Sequence, residues 1–486
     1  MTSAKLAALT AALLLGVSVS VAQADVAISN KPTSNMSCVS GVCTATAQKA
    51  VLNVADLQAL LGIGDVAVRT ALLAKDIVVD QPLTWTGTSR LTLDAQQSVI
   101  VNKQMTAMGQ GSLTITTNDT GDDGKRNKGK KSDGEFVIVP ERGSVQLWDK
   151  TSSLIIDGQS YTLVYDIKTL AADIAANPSG FYALAKPYDA SVDGTYNEPP
   201  ILAGFQGTME GLGNIFRNVN MIFTDQEGLA GFFAAVVRGG SVRNLGIAGS
   251  LESLDDNNVG LLVANNFGRI EWCWTNGTIS AVGDIGGLAG WNDGVIATSY
   301  ANVRVSRSDL AFAKVGGLVG YNTGRIVSSY AIRSVAFRKA NLLSVGGLVG
   351  ESLGLIENSY ARNRVVNGKQ TDGDFGGLVG RNDTNATIRS SYAAGEIKKL
   401  GEGFLGGLVG DDEASPGTIT DNYWDLEKGV SDPNQGAGNK KNDSGITGLT
   451  TAQFQSGLPD GFNPKIWGQT PNINNGYPYL LANPPR

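Results

Sequence analysis

The sequence predicts an all-β chain: a parallel β-helix or β-solenoid with coils of about 30 residues, preceded by a shorter β-helical N-terminal region with one or two short helices. Three observations lead there. Glycine occurs 62 times in 486 residues, well above the usual share of about 7%. The tripeptide Gly-Gly-Leu begins at Gly286, Gly316, Gly346, Gly376 and Gly406, a spacing of 30 residues four times over. Each unit holds three short apolar stretches rich in Val, Ile and Tyr and punctuated by Asn and Gly, too short and too weakly 3.6-periodic for helices.

In chain order, residues 1–24 read as a secretory signal, with Lys5, an apolar run from Leu6 to Val21, and Ala22-Gln23-Ala24 before Asp25. That run is shorter than the roughly 20 residues a membrane span needs, and no later segment reaches that length. The expectation is export, cleavage near Ala24, and a mature chain without a transmembrane segment.

Residues 25–165 form the N-terminal region. Gln48 to Leu61 has helical spacing (Val51, Val54, Leu57, Leu60, Leu61), with Gly62 and Gly64 as stops. Strands are expected at Asp76 to Val79, Arg90 to Leu93, Ser98 to Val101 and Ser112 to Thr116. Cys38 and Cys43 enclose a short loop; whether they pair depends on tight-loop geometry and stays open. Lys125, Arg126, Lys128, Lys130 and Lys131 lie among Asp122, Asp123 and Asp133. This reads either as a patch for an anionic glycan or lipid, or as a solvated loop; the flanking acids cancel much of its field and favour the loop.

Residues 166–204 connect this region to the repeats and contain an amphipathic helix over Asp166 to Asn177. The array spans residues 205–425. Aligned on Gly-Gly-Leu, Asn292, Asn322, Ser352 and Asn382 share a column; so do Ile296, Ile326, Ile356 and Ile388, and then the Ser-Tyr pairs ending in Tyr300, Tyr330, Tyr360 and Tyr392. Worn copies at Gly260-Leu261-Leu262 and Gly231-Phe232-Phe233 extend it backwards, and a small insertion lies within Asp383 to Ala386. Parallel stacking at roughly 4.8 Å would lay identical residues over one another. Leucine, valine and isoleucine columns then form the interior, glycine permits close backbone approach, and the tyrosines face either in or out. Cys273 falls in the serine column and reads as a small packed residue. Residues 426–486 are a polar, Gly-rich loop followed by aromatics, Trp467, Tyr477 and Tyr479, expected with Leu480 to close the last coil's edge; a carbohydrate-stacking site would look the same.

The unit Gly-Gly-Leu-Val-Gly-x-Asn-x-Gly-x-Ile-x-x-Ser-Tyr-Ala, seen from Gly316 to Ala331, resembles the GLUG repeat. That repeat occurs in bacterial surface proteins, including adhesins of the filamentous haemagglutinin type, and beside the peptidase domain of some IgA-specific zinc metallopeptidases. The peptidase is not implied, because its His-Glu-x-x-His motif needs histidine and this chain has none. Pro82-Leu83-Thr84-Trp85 through Arg90 to Ala95 is similar to the N-terminal β-helix of haemagglutinin-type exoproteins. The resemblance implies a possible outer-membrane secretion partner, although the Asn-Pro-Asn signature of those secretion domains does not occur here.

The absence of histidine also removes Ser-His-Asp and Cys-His activation and histidine-based zinc hydrolysis. With 39 basic against 45 acidic residues and a net charge of −6, no strong field attracts nucleic acid. The expected function is that of a secreted or cell-surface adhesin or structural exoprotein, not an enzyme, binding a host or matrix protein or a glycan through the solenoid. The alternative is a carbohydrate-active β-helix enzyme using carboxylates, with Asp255, Asp256, Asp372, Asp374, Asp411, Asp412 and Glu413 as candidates. Thr371-Asp372-Gly373-Asp374 is at most a weak calcium motif and otherwise a polar turn. No residue is assigned a catalytic, cofactor-binding or metal role, and no cofactor is expected.

Overall fold

The computed structural model describes residues 25–485, apart from 122–123, 127–133, 225–227, 312, 367–369, 399–400 and 416. The expected signal segment lies outside the described residues, as do Lys128, Lys130, Lys131, Asp122, Asp123 and Asp133.

The chain is all-β with long parallel sheets. A 17-stranded and a 7-stranded sheet belong to the C-terminal part, a 5-stranded and a 3-stranded sheet to the N-terminal part, and one 16-stranded sheet runs through both. Buried apolar side chains form one large group running from Val164 to Ile446 and another composed almost wholly of residues 26–163.

In the repeats the pairing carries like onto like. Gly286, Gly316, Gly346, Gly376 and Gly406 are successive register partners. The same holds for Ile270, Ile296, Ile326, Ile356, Ile388 and Ile419, all buried. Tyr300, Tyr330, Tyr360 and Tyr392 stack nearly face to face, with centroids 4.8, 4.7 and 5.0 Å apart. The glycines meet a steric demand: a Cβ at Gly317 would lie 2.2 Å from the Gly347 carbonyl oxygen, and one at Gly320 would lie 2.6 Å from the Ile285 nitrogen.

Two polar ladders run inside this stack. Asn266 donates to Asn292 (2.7 Å), Asn292 to Asn322 (2.8 Å), and Asn322 to Ser352 Oγ (3.1 Å). The backbone N–H groups of Cys273, Ser299, Ser329 and Ser359 each donate to the side chain of the next serine, at 3.1 to 3.2 Å. Ser299, Ser329, Ser359 and Ser391 return their hydroxyl protons to carbonyls two residues back. The amide donors of Asn266, Asn292 and Asn322 and the N–H groups of the serine column are thereby satisfied by the next copy.

The N-terminal strands fall close to expectation, at Asp76–Val79, Arg90–Asp94, Val99–Val101 and Ser112–Thr116. The helix does not extend back to Gln48. Ala50–Asn53 is a strand beside Asp25–Ser29, and the helix is Val54–Leu61 because Asn53 caps it through the N–H groups of Ala55 and Asp56. The second helix, Ile167–Ala176, is capped by Asp166. Cys38 and Cys43 face each other in the hairpin of Met36–Val39 and Val42–Ala45 and form a disulfide.

A second hairpin lies in the middle of the 16-stranded sheet. Leu154–Ile156 and Gln159–Val164 pair antiparallel around Asp157 (φ 51°) and Gly158 (φ 80°). An Asp-Gly pair with both φ positive suits a two-residue hairpin turn. The strands from Phe181–Leu184 onward stack in parallel on the reversed strand.

The tail has two parts. Ile446–Leu449 adds a further rung on Asn422–Asp425, and Ala437 bridges Val409. Beyond a helix at Thr451–Ser456, the chain returns along the flank of the tyrosine stack. Phe454, Phe462, Trp467, Tyr477 and Leu480 bury the rings. Trp467 donates to Asn358 (3.2 Å), Tyr392 to the Pro478 carbonyl (2.7 Å), and Asn483 to the Thr298 carbonyl (3.2 Å). These aromatics line the side of several units, whereas the last unit is covered by residues 437–449.

Candidate functional site

Gly-Gly-Leu is followed by Gly-x-Asn in three units, by Gly350-Glu351-Ser352 in a fourth and by Gly410-Asp411-Asp412 in the fifth, and x points away from the core. Because the second strand of one unit crosses close over the first strand of the previous unit, as at Gly320 against Ile285, two outward columns lie side by side. One contains Asn265, Trp291, Tyr321, Glu351, Arg381 and Asp411 in register. The other contains Asn258, Asp284, Lys314, Ser344 and Asp374.

The first half of this face is aromatic. Trp291 lies 5.2 Å from Phe267, edge to face, and 6.2 Å from Tyr321, tilted by 34°. All three are half-buried. The Trp291 indole N–H donates to Thr323 Oγ1 (3.1 Å), and Asn258 donates to Asn265 (2.8 Å) beside it. Lys314 places its ammonium 4.7 Å from the Tyr321 centroid and pairs with Asp284 at 3.2 Å.

The second half is charged. Arg381 pairs with Glu413 at 2.9 Å and approaches Asp411 at 4.0 Å. Burial raises the Asp411 carboxyl above its ordinary range, Asp374 and Glu413 add to this, and Arg381 opposes it. Glu351 is also raised, first by burial, with Lys314 and Arg381 opposing. Burial and Glu351 raise Tyr321. The face thus offers ring surfaces beside amides at one end and carboxylates at the other, with both flanking cations already engaged.

The structure separates the acids singled out in the sequence. Asp412 is buried and terminates the amide ladder, accepting from Asn382 (2.9 Å) and Lys440 (3.0 Å). Asp411 and Glu413 share Arg381, and Asp374 accepts from the Phe404 N–H (3.3 Å). Asp372 is exposed. Asp255 and Asp256 lie on the strand Gly246–Gly260, and their side chains are outside what is described, as is that of Thr371. Among the described residues, no group of three or more His, Cys, Asp or Glu is arranged to hold a metal ion. Of the basic stretch, Arg126 pairs with Asp157.

Cys273 is buried, its thiol directed at the carbonyls of Val242 (3.4 Å) and Glu271 (3.3 Å), and burial pushes it well above the ordinary thiol range. The aromatic run Phe267, Trp291 and Tyr321 was not singled out from the sequence. Its signal was the residue before the asparagine column, which is aromatic in two successive units.

No family model and no curated protein matches this chain. A solved structure from Bacteroides ovatus, provisionally described as an immunoglobulin A1 protease, aligns with a TM-score of 0.44 at 18% identity, covering 66% of this chain and 93% of that one.

Proposed function

We propose that the parallel sheets close on one another into a β-solenoid, and that the chain is an exported or surface-held attachment protein that binds a glycan-bearing surface through its Gly-Gly-Leu face. The observation that carries this reading is the half-buried run Phe267, Trp291 and Tyr321, set beside hydroxyl, amide and carboxylate groups on an outward face. Sugar rings have an apolar face and a polar rim, and aromatic side chains with adjacent hydrogen-bonding groups match both. The resemblance to GLUG and haemagglutinin-type exoproteins supports the same reading, as does the N-terminal signal pattern with an outer-membrane partner as its export route.

The test is attachment of cells, or of beads carrying the protein, to glycan-coated and matrix-coated surfaces. Loss of residues 205–425 should abolish attachment, and Trp291→Ala with Tyr321→Ala should reduce it several-fold while the far-ultraviolet spectrum stays unchanged. Full attachment by the aromatic double variant would overturn the assignment of this face. Cleavage of an acidic polysaccharide by the wild-type protein would favour the carboxylate enzyme instead.

A further inference from the structure

The two halves of the Gly-Gly-Leu face carry different chemistry, and they meet at Tyr321 and Glu351. These two are direct register partners on adjacent strands, so the carboxylate lies one rung, roughly 4.8 Å, along the stack from the ring. Glu351 is half-buried and makes no ion pair among the described residues. The cations on either side are spoken for: Lys314 by Asp284, and Arg381 by Glu413. An anionic glycan would therefore find no uncommitted cation here and would meet Asp284, Glu351, Asp411 and Glu413. A ligand that offers a positive charge next to a ring would complete what the site lacks.

The protein already shows this pairing in its own side chains. The Lys314 ammonium rests over the Tyr321 ring while bonded to Asp284, so an ammonium is compatible with both the ring and the acidic surroundings. We propose that the Gly-Gly-Leu face takes a glycan containing free amino sugars, with sugar rings against Trp291 and Tyr321 and an ammonium on Glu351. This rests on the glycan-binding reading above and deepens it by naming the charge class of the ligand. The regular rung spacing suits a linear polymer lying along the stack, with one of its amines beside Glu351.

Isothermal titration of the protein comprising residues 25–486 tests this with three probes: a glucosamine oligomer, its N-acetylated counterpart, and an oligogalacturonate, at low salt and mildly acidic pH. The glucosamine oligomer should bind tightest, by at least about tenfold over the acetylated form, as expected for a charge-assisted contact, and added salt should erode that margin. Glu351→Gln should remove most of the margin while leaving the N-acetylated oligomer unchanged; Trp291→Ala should weaken both. Acidification of the wild-type protein should weaken amine binding as Glu351 takes up its proton, an arm that requires no variant. Equal binding of the free and acetylated oligomers, or tightest binding of the oligogalacturonate, would overturn the proposal and leave glycan binding standing. Failure of all three probes would sink both.

Discussion

At the N-terminal end of the described residues, Asp25 and Asp76 are register partners on adjacent strands, and neither has a cation bonded to it among those residues. Burial raises Asp25 to about 6, with Asp76 and Asp80 adding and Lys75 and Lys49 opposing. Asp76 is raised by burial too, although the Ser98 N–H, 2.7 Å away, holds it back. A carboxyl whose folded pKa exceeds its unfolded value of about 3.9 makes the native state bind more protons. Its stabilising contribution is fully present below the unfolded value and is lost as pH rises through about 6. Thermal melts from pH 4 to pH 7 should therefore show a component that falls with pH, and Asp25→Asn should flatten it and raise the melting temperature at neutral pH. An unchanged slope would mean that this carboxyl is solvated.

Single residues also show where the sequence was easy to read. Cys273 aligned with serines, and it occupies a serine's place, its N–H donating to Ser299 Oγ as each serine's does to the next. Cys38 and Cys43 stayed open because pairing depends on whether the loop between them becomes a tight hairpin, and that is decided by Ser40 and Gly41 adopting positive φ. Asp412 was misleading in the other direction. A run of acids at a turn looks solvated, yet Asp412 is buried because the asparagine column continues into it and Lys440 reaches back from the tail.

At the scale of elements, the asparagine ladder makes the repeats interdependent. Asn322 accepts from Asn292 and donates to Ser352, and it is fully buried. Asn322→Ala removes both bonds and leaves the Asn292 amide short of its acceptor, so it should cost about 2 to 3 kcal/mol in denaturant unfolding. Ser352→Ala leaves a single donor unsatisfied and should cost roughly half as much. Equal costs would mean that water replaces the ladder. The 30-residue period made such columns legible, since a parallel stack places sequence-equivalent residues in contact. The reversal at Asp157-Gly158 was passed over, although Asp-Gly between two β-like runs is the short-range hairpin signal. The start of the first helix was misplaced because Val51 fits a 3.6-residue spacing and a two-residue alternation equally well; the pairing of Ala50–Asn53 with Asp25–Ser29 decides between them.

For the whole molecule, the least legible feature was the path of the tail. Composition marked Trp467, Tyr477 and Leu480 as a cover, but nothing local says which surface they cover. Trp467, Asn474, Pro478 and Asn483 tie the tail to Asn358, Arg362, Tyr392 and Thr298, positions in three units of the stack. In an open repeat array each unit touches only its neighbours, so removing one unit loses one increment of stability. Here the tail spans several units at fixed intervals, and removing a unit between Thr298 and Asn358 puts the Asn483 contact out of register with those of Trp467 and Asn474. Deleting residues 317–346 joins Gly316 to Gly347 and preserves the Gly-Gly-Leu pattern. In the full chain this deletion should lower the melting temperature by far more than in a chain ending at residue 449, where the tail is already gone. The difference between the two losses measures the coupling carried by the tail, by the logic of a double-mutant cycle. Additive losses would show that residues 450–485 merely lie on the stack, whereas a large positive coupling would make them its longitudinal clasp, holding the tyrosine face closed.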